Sequence, residues 1–123
     1  MHELKNASFI TAMMSMAQKS SIDMLMYYNL MKGEWCGAFD MYSFKLLKGY
    51  YPLMWYGKFY DMENEIRAEN KIENIYSLCG VDKNGKVLCA ITYYSDDDNL
   101  QAKDYVCCKA KSYTEFQNKY KTC

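Results

Sequence analysis

The fold class of this 123-residue chain depends on residues 22–28, which read IDMLMYY. The five residues after Asp23 are all apolar or aromatic and lack the alternation of a half-exposed strand. A continuous apolar run of this length is typical of a strand buried on both faces, as in the parallel sheets of α/β proteins. The sequence therefore predicts a short buried strand with neighbouring strands on both sides.

A helix is predicted on each side of this strand. Apolar residues recur at three- and four-residue steps over residues 6–19, with Asn6 as the expected N-cap. The second helix is predicted over residues 47–62, where Pro52 is tolerated only in the first turn. The loop between strand and second helix lies where α/β barrels place their ligand-binding residues. Helix, strand and helix together form part of a repeating α/β unit.

The composition changes in the second half of the chain. Residues 63–71 are charged and aperiodic, and we interpret them as a linker. Strands are predicted at 75–81 and 87–94, joined by a hairpin turn at Asp82-Lys83-Asn84-Gly85, and a third strand at 104–111. The predicted class is an α/β fragment over residues 1–65 followed by antiparallel β-sandwich strands over 72–123, α+β overall.

Charge and cysteine spacing narrow the function classes. Fifteen basic residues balance fifteen acidic ones, and without a basic patch a nucleic-acid partner is not expected. The six cysteines form no CxxC pair and the only histidine is His2, so we expect reduced, packed cysteines and no metal site. No apolar stretch is long enough for a membrane span and no secretory signal opens the chain, which favours a cytoplasmic protein.

Three segments resemble the end of the barrel in β-xylosidase-like glycoside hydrolases. They are residues 21–29 (SIDMLMYYN), 35–40 (WCGAFD) and 46–51 (LLKGYY). Residues 75–78 (IYSL) and 91–96 (ITYYSD) are similar to the β-sandwich module that commonly follows such barrels. The resemblance covers most of the chain from Asn6 to about Asp104. It implies the last helix-strand-helix of a TIM barrel and the start of a β-sandwich.

The resemblance also implies a sugar-binding role for Tyr28, Asn29 and Trp35, which would lie at the mouth of the cleft. Aromatic rings pack on the C–H face of a sugar while polar side chains bind its hydroxyls. The chain departs from the family pattern at Asn29, where the family has Asp, and at Cys36, where it has Asn. The Arg that the family carries soon after the tyrosine pair is missing.

No catalytic residue is expected in this chain. Retaining glycosidases need two carboxylates about 5–5.5 Å apart, and the resemblance places both glutamates on earlier barrel strands. Neither Glu34 nor Asp40 is expected to replace them, because Glu34 lacks a partner and Asp40 suits turn or cap bonding. A complete barrel has about 250 residues and eight strands. The expectation is a fragment without cofactor, inactive alone, whose partners are a carbohydrate once the cleft is completed, a complementing chain or a second copy.

Two other function classes fit the same residues. The chain could be a free-standing α+β module that holds a carbohydrate or a protein through the Trp35 loop. It could also be a structural interaction protein whose Tyr- and Met-rich helices dock on a larger partner.

Overall fold

The computed structural model describes residues 2–31, 37–68, 71–97 and 99. The described elements are α1 (His2–Ala17), α2 (Tyr50–Phe59), β1 (Asn64–Ile66), β2 (Ile75–Val81) and β3 (Val87–Tyr93). The strands form one antiparallel sheet in the order β1-β2-β3. The mixed α+β class predicted from the sequence is confirmed. The predicted third strand at 104–111 lies outside the described residues.

Helix α1 contacts α2, β2 and β3 and so lies at the centre of the fold. Its Ile10 is fully buried, and Ala12 and Ser15 are buried beside it. The Ser15 hydroxyl donates to the Thr11 carbonyl at 2.9 Å, so this buried polar group is satisfied. The predicted helix is confirmed, but it begins before Asn6, so the N-cap prediction is wrong. The preceding residues Leu4 and Lys5 have good helix propensity and extend it.

Helix α2 is shorter than predicted and lies inside the expected range. Pro52 is its third residue, within the first turn, where its missing amide hydrogen breaks no helical hydrogen bond. The chain enters the helix through Leu47, whose amide donates to the Ala38 carbonyl at 2.8 Å. Ala38 is fully buried there.

Residues 22–28 do not form the predicted buried strand. The structure assigns them neither helix nor strand, and Met24, Met26 and Tyr28 are 75%, 83% and 90% exposed. Within the described residues, the backbones of Met24, Leu25 and Met26 form no hydrogen bond with another backbone. The prediction is therefore wrong for this chain, because a strand forms only beside another strand and no described strand pairs with this segment.

The hairpin of β2 and β3 matches its prediction closely. Val81 pairs with Val87, and the Asp82 amide donates to the Lys86 carbonyl at 3.0 Å. Within the turn, only Gly85 has a positive φ, of 81°, and the Gly85 amide donates to the Asp82 carbonyl. This arrangement is a turn followed by a left-handed glycine, as in three-residue hairpin loops. The Asp82 carboxylate accepts the Asn84 and Lys86 amides, both at 2.8 Å.

A disulfide joins Cys79 of β2 to Cys89 of β3. The two residues are direct partners in the strand register, with Cα atoms 4.2 Å apart. The expectation of reduced cysteines is therefore wrong for this pair, because the hairpin register brings together thiols that are ten residues apart in sequence. The other four cysteines, Cys36, Cys107, Cys108 and Cys123, lie outside the described residues.

The predicted linker contains a strand. In β1, Asn64, Glu65 and Ile66 pair with Val81, Gly80 and Cys79. Their polar side chains obscured the strand in the sequence, but β2 offers an edge whose backbone groups need partners. The chain reaches this edge directly after α2, and Gly80 leaves room there for Met62.

Gly49 is the point of closest approach between the helices and the loop before α2. A Cβ atom at this position would lie 2.6 Å from Asn6 Nδ2 and 2.6 Å from the Gly37 carbonyl oxygen. The carbonyl belongs to the backbone and cannot rotate away. Glycine is therefore required here for packing, since its φ of −64° is ordinary for any residue.

We expect Gly49→Ala to lower the free energy of unfolding by about 1–3 kcal/mol, as over-packing does in close-packed sites. Gly57→Ala is the matched control, because nothing lies within 4 Å of a Cβ in the interior of the same helix. The control should raise stability by about 0.5–1 kcal/mol through helix propensity. Urea denaturation measures both, and equal effects at the two positions would contradict the close approach.

Candidate functional site

The predicted site residues Tyr28 and Asn29 lie at the end of residues 22–30. We call these residues the uncovered segment, because most of their apolar side chains are exposed. Tyr28 is 90% exposed, whereas the Tyr27 hydroxyl reaches inward to Asn6 Oδ1 at 3.4 Å. Asn29 has a φ of 71°, a left-handed conformation that asparagine adopts more readily than most residues. The chain therefore turns directly after the tyrosine pair. The third predicted residue, Trp35, lies outside the described residues.

Backbone hydrogen bonds attach this turn to the loop that follows it. The Leu30 carbonyl accepts the amides of Ala38 and Phe39 at 2.7 and 2.9 Å. Met31 forms a parallel bridge to Phe39, and Phe39 forms an antiparallel bridge to Leu46. Backbone pairing thus joins three short segments, residues 30–31, 38–39 and 46–47. It fixes where the Tyr28–Asn29 turn sits relative to the start of α2.

Asp40 organises the loop between the second and third of these paired segments. Its Oδ1 accepts the Ser43 hydroxyl and the Ser43 amide, both at 2.8 Å, and the Tyr42 amide at 3.2 Å. Its own amide donates to the Lys45 carbonyl at 2.9 Å, which closes the loop. The sequence prediction that Asp40 serves in turn bonding, and not as a catalytic acid, is confirmed as far as the turn is concerned.

The closed loop presents two aromatic side chains that sequence reasoning missed. Tyr42 is 89% exposed and Phe44 is 69% exposed. Phe44 also has a φ of 55°, a left-handed conformation that is rare for a bulky residue and is often found at functional sites. The Asp-x-x-Ser spacing of Asp40 and Ser43 was the signal that could have identified this loop as a rigid turn.

Aromatic rings pack between the Asp40 loop and the start of α2. The rings of Phe39 and Tyr50 have centroids 5.6 Å apart, and those of Tyr50 and Tyr51 lie 5.9 Å apart in an edge-to-face arrangement. Such pairs stabilise by about 0.5–1.5 kcal/mol beyond their buried area. These ring pairs connect the loop to the first turn of α2. The exposed Tyr28 turn and the Asp40 loop are therefore attached to a packed aromatic cluster.

Comparison with known protein families, with curated proteins and with solved structures finds no match to this chain. Within the described residues, no three His, Cys, Asp or Glu side chains are grouped so that they could hold a metal ion. No helix in the same part of the chain has both the length and the apolar character needed to cross a membrane.

Removing the Asp40 carboxylate should loosen the loop without disturbing the sheet. We expect Asp40→Ala to lower the free energy of unfolding by about 1–2 kcal/mol, since three exposed hydrogen bonds are lost. The matched variant Asp40→Asn keeps an acceptor oxygen and should lose less than half as much. Amide hydrogen exchange at Ser43 should accelerate in Asp40→Ala only. Unchanged exchange at Ser43 would show that the carboxylate does not hold the loop.

Proposed function

We propose that this chain is the C-terminal part of a β-xylosidase-like glycoside hydrolase and contributes one wall of the sugar cleft. The proposal rests on the family resemblance and on one structural observation. The apolar segment of residues 22–30 lies between two packed helices, and most of its apolar side chains are exposed. Helix, apolar segment and helix have the order of an α/β barrel unit, in which the middle segment is a strand covered on both faces.

The exposed apolar side chains of this segment cost free energy in water, and a packing partner would remove that cost. Ile22, Leu25 and Leu30 are also exposed, in addition to the residues already named. Covering a side chain of this size stabilises by about 1.5–3 kcal/mol, and pairing in a sheet supplies partners for the backbone groups of Met24, Leu25 and Met26. Adjacent strands at both edges, with the outer helices and the barrel interior covering the two faces, would therefore stabilise the segment as the last strand of a barrel.

In the completed barrel, Tyr28 and Asn29 would follow the carboxyl end of this strand. That end is where α/β barrels carry their active sites. The exposed Tyr28 ring suits the C–H face of a sugar, and the Asn29 amide can both donate to and accept from sugar hydroxyls. Trp35 is proposed to extend this platform. The catalytic carboxylates are supplied by the remaining strands, so the chain binds sugar without cleaving it alone.

A second candidate, a free-standing α+β binding module, is favoured by one observation. Helix α1 packs on the disulfide-linked hairpin, so the described part of the chain has a small core of its own. Most apolar side chains of residues 22–30 remain exposed outside this core, which is why we place the glycosidase proposal first.

Fragment complementation tests the proposal. The chain alone should not hydrolyse 4-nitrophenyl β-xyloside. Co-expression with a β-xylosidase-like barrel truncated before its last helix-strand-helix should restore hydrolysis. Met26→Asp should block assembly, read by size-exclusion chromatography, because an ionised side chain cannot enter a strand buried on both faces.

Two tyrosine variants separate sugar contact from assembly. In the assembled enzyme, Tyr28→Ala should lower kcat/KM by about tenfold, the loss of one stacking contact worth about 1.4 kcal/mol. Tyr60→Ala is the matched control, since Tyr60 is 92% exposed and directly follows α2. Equal activity of both variants would remove Tyr28 from the sugar cleft. Hydrolysis by the isolated chain would overturn the proposal as a whole.

A further inference from the structure

A concave site lies on another part of the molecule, between α1, α2 and the strands β2 and β3. It is an open cleft of about 450 Å³. Neither Tyr28 nor Asn29 lines it, so it is separate from the proposed sugar site. Its volume falls within the range of about 300–1,000 Å³ that small-molecule sites occupy.

The walls of the cleft are apolar and aromatic. Helix α2 contributes Trp55 and Phe59, and the sheet contributes Leu78, Leu88 and Ala90. Trp55 is only partly covered, with 43% of its surface exposed. Lys58 stands over the Trp55 ring at 4.3 Å from its centroid, which fixes the ring at the cleft.

The polar groups of the cleft do not suit a sugar. The Thr11 and Ser15 hydroxyls donate to carbonyls one turn earlier in α1, both at 2.9 Å, so their protons are already used. A sugar carries many hydroxyls that each need a partner when water is displaced. The remaining hydroxyls of the lining belong to Tyr51 and Tyr56, and the Tyr56 hydroxyl already accepts a hydrogen bond from Gln18 Nε2, so few partners are left for a sugar.

One charged group completes the lining. Among the described residues that form the cleft, Lys48 is the only charged one, and no carboxylate opposes it. Lys48 directly precedes Gly49 and its side chain is exposed, so its ammonium group can meet a ligand without being buried first. An apolar cavity with a single positive charge is complementary to an amphiphile with one negative end.

We propose that this cleft binds a medium-chain fatty acid or a similar linear carboxylate. The hydrocarbon chain lies between Trp55, Phe59 and Leu88, and the carboxylate pairs with Lys48. The binding is reversible and involves no covalent step. This site does not rest on the proposed glycosidase role, because it uses none of the same residues.

Isothermal titration calorimetry of the full chain with decanoate, below its micelle concentration, tests the site. We expect saturable binding of one decanoate per chain. Octanoate, which is two methylenes shorter, should bind about sixteenfold more weakly, because each methylene adds about fourfold in affinity. Decyltrimethylammonium has the same chain length and the opposite charge, and it should bind at least fivefold more weakly than decanoate. Equal affinity for decanoate and decyltrimethylammonium, or no saturable binding, would overturn the proposal.

Two variants locate the binding. Lys48→Met should weaken decanoate binding about fivefold, the effect of one exposed charge pair, and leave the cationic probe no weaker. Lys45→Met, three residues earlier and outside the cleft lining, is the matched control and should change nothing. Ala90→Leu fills the cleft and should weaken both probes, with circular dichroism confirming that the variant is folded. Unchanged decanoate binding in both Lys48→Met and Ala90→Leu would place it elsewhere and refute the site.

Discussion

The packing of α1 against both α2 and the hairpin is the constraint on which the other described elements depend. Ile10 and Ser15 are buried in this contact, and Gly49 allows α2 to approach because it has no side chain to collide with Asn6 or the Gly37 backbone. The described core is small, so few side chains fix the relative positions of helices and sheet.

This arrangement separates the molecule into a covered and an uncovered part. Helix α1 packs against the hairpin, the Asp82 turn closes it, and the Cys79–Cys89 disulfide joins its two strands. All three restraints favour the observed pairing of β2 with β3. The segment between the helices has none of these restraints. Its apolar side chains face water, at a free-energy cost that a neighbouring strand would remove. The proposed function follows from this contrast.

Local signals were predicted well from the sequence, and signals that depend on distant partners were not. The hairpin was predicted because alternating strand residues and an Asn-Gly turn act within a few residues of each other. The linker that became β1 was missed, since Asn64 and Glu65 form a strand only because β2 offers a free edge. The prediction of a buried strand at residues 22–28 was wrong because such a strand needs neighbouring strands, and no described strand pairs with this segment. Of the site, Tyr28 and Asn29 were found through resemblance, whereas the exposed Phe44 depends on backbone geometry that composition does not reveal.

Amide hydrogen exchange at Met24, Leu25 and Met26 tests the central claim most directly. In the chain alone these amides should exchange at nearly the unprotected rate, while that of Leu78 in the centre of the sheet is strongly protected. Bound to the barrel fragment that completes the sheet, the same three amides should slow by at least about a hundredfold, the effect of about 2.7 kcal/mol of added local stability. Protection in the isolated chain equal to that of Leu78 would show that the segment already has its partners, and would contradict the account.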